Sequence, residues 1–483
     1  MTPVASVRLD RLLEDLRPLD VRGDPTGTEV AAIAHDTRQP LSGALFCCLP
    51  GHVVDGHDLA PAAIRGGAVA LLVERQVGSG VVEVIVSDAR AAMAQAAARL
   101  FDHPSRALDV IGITGTNGKT TVTHLLHAIL VASGRHPAMI GNLTHDPSEI
   151  GPPNTPESPA LQSALRREVD QGCDAVVMEV TSIGLVKHRV DAVRFRAAVF
   201  TNLTQDHLNE HGSMDAYFEA KASLFDENRT PTGVVNADDP YGAVLLERLG
   251  PRGIAYALSD ATDVAAGSKV STFLWHGTPM RIHLEGGFNV ANALAAATTA
   301  RVLDIGVDAI AAGLDSVRTV RGRMEPVSSG QPFEVRVDYA HTPDALEQVI
   351  RAGRAMVDDG RVVLVFGCGG DRDRDKRPMM GRVATDLADV AYLTNDNPRG
   401  EDPLAIIDEV RAGVVAGDRL VVEPDRRAAI WGAIADARPG DVVLITGKGH
   451  EQGQEATGVV TPFDDRSVAL AALVAAGWTG ESS

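Results

Sequence analysis

Aromatic side chains are scarce in this chain, only 4% of its 483 residues, while glycine (47 residues), alanine and valine are plentiful. That mix suits α/β layers joined by tight loops. Cysteine is nearly as rare, with Cys47, Cys48, Cys173 and Cys368 alone; none forms a CxxC pair and two are adjacent. Neither a zinc site nor a disulfide framework follows. No apolar run reaches the ~18 residues that suggest a membrane span. The opening MTPVASVRLDRLLEDL carries charges every few residues, unlike a secretory signal. No membrane association and a cytoplasmic location are therefore expected. Positive charge is also short: 45 Lys and Arg stand against 64 Asp and Glu, a net charge of −19 with pI near 5.2. Such a chain is a poor nucleic-acid binder, because neutralising phosphates takes clustered Lys and Arg. Any anionic ligand must be held by local positive sites.

The length exceeds one ordinary domain, and three is a comfortable number. Breaks fall at His103-Pro104-Ser105 and within SVRTVRGRMEPV, Ser316 to Val327. They divide the chain into 1–106, 107–318 and 319–483. Short apolar runs at Ala68–Val73, Val82–Val86, Ala175–Glu179, Ala197–Thr201, Val362–Phe366, Val390–Thr394 and Val442–Ile445 mostly feed polar, Gly- or Pro-bearing loops. The alternation predicts an α/β fold of parallel sheets flanked by helices, with ligands beyond the carboxyl ends of the strands.

IGITGTNGKTTVTHLL, Ile111 to Leu126, has the strongest chemical pattern. It misses the strict G-x-x-x-x-G-K-[ST] spacing by one residue, since Ile113 stands five before Gly118. The elements of a phosphate loop are nevertheless present in Gly115, Thr116, Asn117, Gly118, Lys119, Thr120 and Thr121. The glycines let backbone N–H groups turn inward, and a helix beginning near Lys119 points its positive end at an anion. Lys119 can reach the β/γ-phosphates and the Thr120 hydroxyl can ligate Mg²⁺. A lone GxxG reads as an ordinary strand-to-helix turn; G-x-x-G-K-T-T between an apolar run and an amphipathic helix does not.

Glu179 ends the apolar run of DAVVMEVTS, well placed to hold Mg²⁺ unless it is a strand-end acid facing water. His207 follows another such run in AVFTNLTQDHLNEHG. In SMDAYFEAKASLFDEN, Met214, Tyr217, Phe218, Leu224 and Phe225 make a stripe at helical spacing, and Lys221 falls within it. Spacing alone makes Lys221 a snorkelling side chain. Were it desolvated, its pKa would fall and expose a neutral amine, which can take up CO₂ as a carbamate, an anion able to join a metal site.

GTNGKTT, MEVTS, TNLTQDHLNEHG, AYFEAKASLF, FNVANALAA, RGRMEPV, VDYAHTPDALE, GCGGDRDRDKRP, DNPRGEDP and GKGHE occur in this order. Together they resemble the Mur ligases, ATP-dependent amide-forming enzymes of peptidoglycan assembly, nearest to the branch that adds the third residue to UDP-MurNAc-L-Ala-D-Glu. The resemblance implies a smaller N-terminal UDP-substrate domain, a central P-loop-type ATPase and a C-terminal Rossmann-like domain. It assigns Lys119 and Thr120 to ATP and Mg²⁺, Glu179 and His207 to metal, and makes Lys221 a carbamylated lysine. Asn292 is expected beside adenine, Asp338 near ribose and Arg323 at the γ-phosphate. DNPR resembles the form that takes meso-diaminopimelate, whose extra carboxylate suits the planar fork of Arg399. Arg372, Asp396, Asn397, Gly447 and Glu451 would complete that pocket, with Glu451 accepting from the distal ammonium. Lys448 and His450 lie beside them without a role. Asn154, Thr155, Ser182 and Arg189 are expected at the muramyl peptide. Small-molecule substrates and a monomer are expected.

The muramyl-peptide side departs from the family pattern. Thr181-Ser182-Ile183 stands where S-S-H is usual, Lys187 where Gln is usual, Asn154-Thr155-Pro156 for T-T-P, GNLTH for a G-T-x-G-like run, and HDTR for D-S-R. Ile183 cannot hydrogen-bond through its side chain. Two readings stay open: a diaminopimelate-adding ligase with a repacked sugar site, or a paralogue acting on another acidic conjugate or adding another amino acid. A non-catalytic nucleotide binder is opposed by the presence of Lys119, Glu179, His207 and Lys221. A folylpolyglutamate synthase, which shares the ATPase core, is opposed by DNPR and the N-terminal domain.

Overall fold

The computed structural model describes residues 6–51, 54–141, 154–266, 270–415 and 419–480. Three open sheets follow one another along the chain. The first runs in the order Asp20–Arg22, Val82–Ile85, Ala70–Val73, Ala44–Cys47, Ala32–Ala34. It is parallel apart from the edge strand Asp20–Arg22. Ala44–Cys47 and Ala70–Val73 are buried at every position, as strands covered on both faces must be.

The central sheet is parallel throughout, in the order Gly253–Tyr256, Gly233–Asn236, Ala197–Phe200, Asp109–Thr114, Ala175–Glu179, Pro137–Ile140. Successive side chains of one strand enter opposite cores: Ile111 and Ile113 pack with Leu125, Ile129 and Leu294, whereas Val110 packs with Met178, Phe195 and Phe218. This is the period-two alternation of a strand, carried by aliphatic residues in a chain with few aromatics. Asp109–Thr114 has Ala197–Phe200 on one side and Ala175–Glu179 on the other. The connections diverge at this strand, and the crevice beyond its carboxyl end is where such sheets bind ligands.

The third sheet runs Glu325–Pro326, Glu334–Asp338, Val442–Thr446, Val362–Phe366, Val390–Leu393, Leu420–Val422. Only its first strand is antiparallel. It too splits its strands between two cores, with Leu364 and Leu444 on one face and Val363, Val365, Val443 and Ile445 on the other. The expected α/β class is observed, and the apolar runs read as strands are strands, mostly trimmed by a residue or two at their ends.

Candidate active site

The chain leaves Asp109–Thr114 through Gly115 and re-enters regular structure at the helix Lys119–Ala132. Both glycines of this turn have left-handed backbone, φ 147° at Gly115 and 87° at Gly118. Neither has room for a side chain: a Cβ on Gly115 would fall 1.8 Å from Thr201 Oγ1, and one on Gly118 2.5 Å from Asn292 Oδ1. Only glycine lets the turn lie this close to both neighbours. Lys119 folds back over the turn and donates from Nζ to the carbonyls of Gly115 (2.9 Å) and Thr116 (2.8 Å). Burial pulls its pKa below the ordinary lysine value; Arg323 adds to this while Glu179 and Asp206 oppose it.

Thr120 and Glu179 are both 2% exposed. The Thr120 hydroxyl donates to Glu179 Oε1 (2.9 Å) and accepts from Arg323 Nη2 (2.9 Å). Glu179 thus faces the glycine-rich turn rather than bulk water. Asn154 Nδ2 lies 3.5 Å from Glu179 Oε2. Behind it, Thr155 donates to the Glu179 carbonyl (3.1 Å) and accepts from Thr181 N (2.9 Å). The GNLTH run beyond Gly141 lies outside the described residues.

Lys221 corrects the reading from spacing. It is 1% exposed and does not snorkel. Its Nζ donates to the Gly115 carbonyl at 2.8 Å and lies 4.5 Å from the Tyr217 ring centroid. Lys221 lies too deep in the seam with Tyr217 and Phe218 for the ammonium to reach solvent. Burial, with Lys119 close by, pushes its pKa well below the ordinary value. His207 sits just before a short helix with φ 55°. Burial lowers its pKa to about 3; Asp206 opposes the shift, and His341, Lys221 and Lys119 reinforce it.

Residues of the third sheet complete one cleft of about 990 Å³ with this loop. Of the residues singled out in the sequence, Thr116 to Thr121, Asn154, Glu179, Ser182, Arg189, His207, Asn292, Arg323, Asp338, Arg372, Asp396, Asn397, Arg399, Gly447 and Glu451 line it. Gly115, Thr155 and Lys221 stand behind the lining. Asn292 is locked by Asn289, 2.9 Å from its Nδ2. Asp338 accepts from Met324 N and Ala340 N, both at 2.7 Å, and burial raises its pKa. The Arg323 guanidinium lies over the Tyr339 ring, 4.7 Å from its centroid. Arg189 is held by Glu157 (2.7 Å) and the Thr155 carbonyl (3.1 Å). Ser182 Oγ pairs with His211 Nε2 at 2.9 Å. Arg399 has left-handed backbone, φ 51°, donates to the Gly370 carbonyl (2.8 Å) and approaches Glu455 (3.4 Å). Arg372 donates to the adjacent Asp371 carbonyl (2.9 Å). A Cβ on Gly447 would strike Asp396 Oδ2 at 2.5 Å.

Sequence reasoning missed the ties between the two halves of the cleft. Lys376 Nζ meets Asp206 Oδ1 at 3.1 Å, both buried, and Asn117 Nδ2 meets Asp344 Oδ2 at 3.1 Å. Burial alone would raise the Asp206 pKa, but Lys376, His341 and His207 hold it well below the usual carboxylate range. Lys376 lies inside the quoted GCGGDRDRDKRP, where Asp373 and Arg377 are buried as well, and the abundance of charge concealed which side chain pairs with Asp206. Among the described residues no group of three or more His, Cys, Asp or Glu forms a ready-made metal cage. The Thr120 hydroxyl and the Glu179 carboxylate are hard oxygen donors of the kind Mg²⁺ uses when substrate phosphates supply the remaining ligands, so the residues fit that ion.

Family models match most of the chain: the Mur ligase family catalytic domain over residues 29–111, the Mur ligase middle domain over 113–300, and the Mur ligase glutamate ligase domain over 322–449. The chain is 40% identical to the UDP-N-acetylmuramoyl-L-alanyl-D-glutamate–2,6-diaminopimelate ligase of Bacillus licheniformis, covering 97% of this chain and 99% of that one. It is 44% identical to the ligase of the same name from Gloeobacter violaceus, covering 94% and 96%. A solved structure of a ligase of that name superposes with TM-score 0.66 at 31% identity, covering 98% of this chain and 99% of the other.

Proposed function

The chain belongs to the Mur ligase family, and we propose that it joins meso-diaminopimelate to UDP-MurNAc-L-Ala-D-Glu at the expense of ATP. One observation carries this reading: residues 116–121 of the phosphate turn and the Asn397–Arg399–Glu451 group open into the same cleft. An activated acid formed at the first can therefore meet an amine held at the second. The division 1–106, 107–318 and 319–483 is proposed with it, as are a monomer and a cytoplasmic site of action; among the described residues no helix is long and apolar enough to cross a membrane.

A carboxylate at neutral pH is a poor acyl donor. In the proposed reaction the substrate carboxylate attacks the γ-phosphorus and ADP leaves; the incoming amine then attacks the carbonyl carbon of the acyl phosphate, and the tetrahedral intermediate collapses to the amide with loss of inorganic phosphate and a proton. Two anions must meet for the first step, so the protein's contribution is largely electrostatic positioning. The helix N-terminus at Lys119 and the Lys119 ammonium favour phosphate oxygens, and Arg323, stacked on Tyr339, reaches toward the same region. Thr120, Glu179 and His207 would hold Mg²⁺, which when bound would neutralise phosphate charge. Asn292 and Asp338 are assigned to adenine and ribose. Asn154, Thr155, Ser182 and Arg189 are assigned to the muramyl peptide, and Arg372, Asp396, Asn397, Arg399, Gly447 and Glu451 to the diamino acid. Lys221 is proposed to carry a carbamate, supported by its burial and by the depressed pKa that leaves a neutral amine. Lys221→Ala is expected to lose at least about 10²-fold in kcat, the scale of one electrostatic contact to the reacting charge, and to regain activity with millimolar short-chain carboxylic acid. Loss without rescue would remove the carbamate.

Phosphate release with UDP-MurNAc-L-Ala-D-Glu, comparing meso-diaminopimelate with L-lysine, tests the whole reading. Release that depends on diaminopimelate is expected; no release with either would overturn it. A second reading draws on Ile183, which lines the cleft without a polar side-chain atom, and on Arg189, already engaged by Glu157. It keeps the chemistry and changes the acyl donor to another acidic conjugate. Mass spectrometry of products from a panel of acidic donors separates the two.

A further inference from the structure

Lys448 is fully buried in a pocket otherwise built to receive a charged substrate. Its Nζ donates to Asn397 Oδ1 at 2.9 Å and to Glu451 Oε2 at 3.1 Å, with Asp396 Oδ1 at 3.9 Å. It does not line the cleft, whereas Asp396, Asn397 and Glu451 do. Its charge is therefore spent on the residues that would touch the substrate.

Those contacts remove two freedoms. Asn397 could present either end of its amide to the cleft, but Oδ1 is claimed by Lys448 and by Glu455 N at 3.0 Å, which leaves Nδ2 donating to Glu451 Oε2 at 2.8 Å. Flipping the amide would set its NH₂ against an ammonium and a backbone N–H, and its oxygen against a carboxylate. Glu451 is fixed in turn: both donors converge on Oε2, and no described residue bonds Oε1. The charges also matter. Asp396 and Glu451 contribute two negatives and Lys448 one positive, so the group carries one net negative charge for one incoming cation. Across the opening, Arg399 uses Nη1 on Gly370 and turns Nε toward Glu455, which leaves Nη2 for an anion.

We propose that Lys448 is the positioning residue for specificity at this end of the cleft: by locking Asn397 and pinning Glu451 through Oε2, it aims Glu451 Oε1 at a substrate ammonium. Through that aim the pocket selects an amino acid whose far end is a zwitterion, ammonium toward Glu451 and carboxylate toward Arg399. The inference rests on the amino-acid-adding function proposed above and deepens it.

The test combines a structure and a kinetic comparison, using the full chain. In a crystal structure of Lys448→Met the Glu451 carboxylate should swing off its present position or the Asn397 amide should turn over. An unchanged Asn397–Glu451 pair would overturn the proposal, and this readout needs no turnover. In kinetics, wild-type protein should prefer meso-diaminopimelate strongly over 2-aminopimelate, which lacks the distal ammonium. Lys448→Met should reduce that ratio of kcat/KM at least tenfold, mainly through KM for diaminopimelate, while KM for ATP stays within twofold. A parallel loss for both amino acids would mark a merely structural lysine and overturn the proposal. If the wild type releases phosphate with neither amino acid, the functional reading falls while the crystal structure still judges Lys448. Should Lys448→Met fail to fold, Lys448→Gln, which keeps a donor for Asn397 Oδ1, carries the same two measurements with a smaller reduction expected.

Discussion

The two ends of the cleft hold their lysines differently. At the phosphate end Lys119 rests on backbone carbonyls, those of Gly115 and Thr116. Its partners are fixed by the turn itself and would survive almost any side-chain change. At the far end Lys448 rests on Asn397 and Glu451, partners that are themselves replaceable side chains. A lysine laid on carbonyls can lift away toward a stronger anion, because the carbonyls it leaves keep other partners or reach water. A fully buried lysine shared between an amide and a carboxylate cannot, since moving it takes the ammonium away from the two oxygens that offset its own burial. The first arrangement suits a charge that must follow a reacting phosphate. The second suits a rigid template that discriminates one amino acid from another.

Lys119→Met should therefore produce the larger effect and an indiscriminate one. It removes a cation from the proposed site of phosphoryl transfer, and kcat/KM is expected to fall about 10³-fold, the upper range for losing one stabilising group, equally for every amino acid tried. A loss confined to one amino acid would erase the contrast. Arg399→Ala should be smaller and selective. Losing a charge-assisted contact worth about 2–3 kcal/mol lowers kcat/KM for meso-diaminopimelate about 10²-fold, while KM for ATP and the low activity with L-lysine stay near wild type. Steady-state kinetics with both amino acids measures both variants.

Legibility followed contiguity. Residues 115–121 are consecutive, so their spacing alone exposed the glycine-rich turn from strand to helix, and the apolar runs at 175–179 and 197–201 gave away the strands that flank Asp109–Thr114 because parallel strands are buried on both faces. The far end is assembled from loops at 369–372, 396–399 and 447–455, brought together only because Val442–Thr446 inserts between Glu334–Asp338 and Val362–Phe366. Sequence pattern could nominate Arg399 and Glu451 by family likeness, but it gave Lys448 no role. Lys221 shows the complementary failure. Its position in an apolar stripe was visible, yet whether such a lysine escapes to solvent depends on what covers the helix end, and Tyr217 and Gly115 cover it. Lys376 and Asp206 were likewise invisible, since an ion pair spanning 170 residues leaves no local trace.

The smallest effect expected concerns the seam between the two ends, where His450 lies beside Tyr339 with ring centroids 5.2 Å apart. Burial pushes its pKa down to about 3, helped by the positive charges of Arg323, Arg321 and His124. Its buried Nδ1 has no hydrogen-bond partner among the described residues. The unfolded chain takes up a proton at this histidine as pH falls below about 6.5, and the folded chain does not until about 3. Its contribution to stability is thus whole above pH 6.5 and drains away as the pH drops toward 3. His207, lowered for the same reason, acts in the same direction, so replacing His450 removes only part of the slope. His450→Asn should flatten the decline in urea midpoint between pH 6.5 and 4.5, as followed by circular dichroism. An unaltered slope would mean that this imidazole is solvated, and that the seam between the carbonyl-held and side-chain-held lysines admits water.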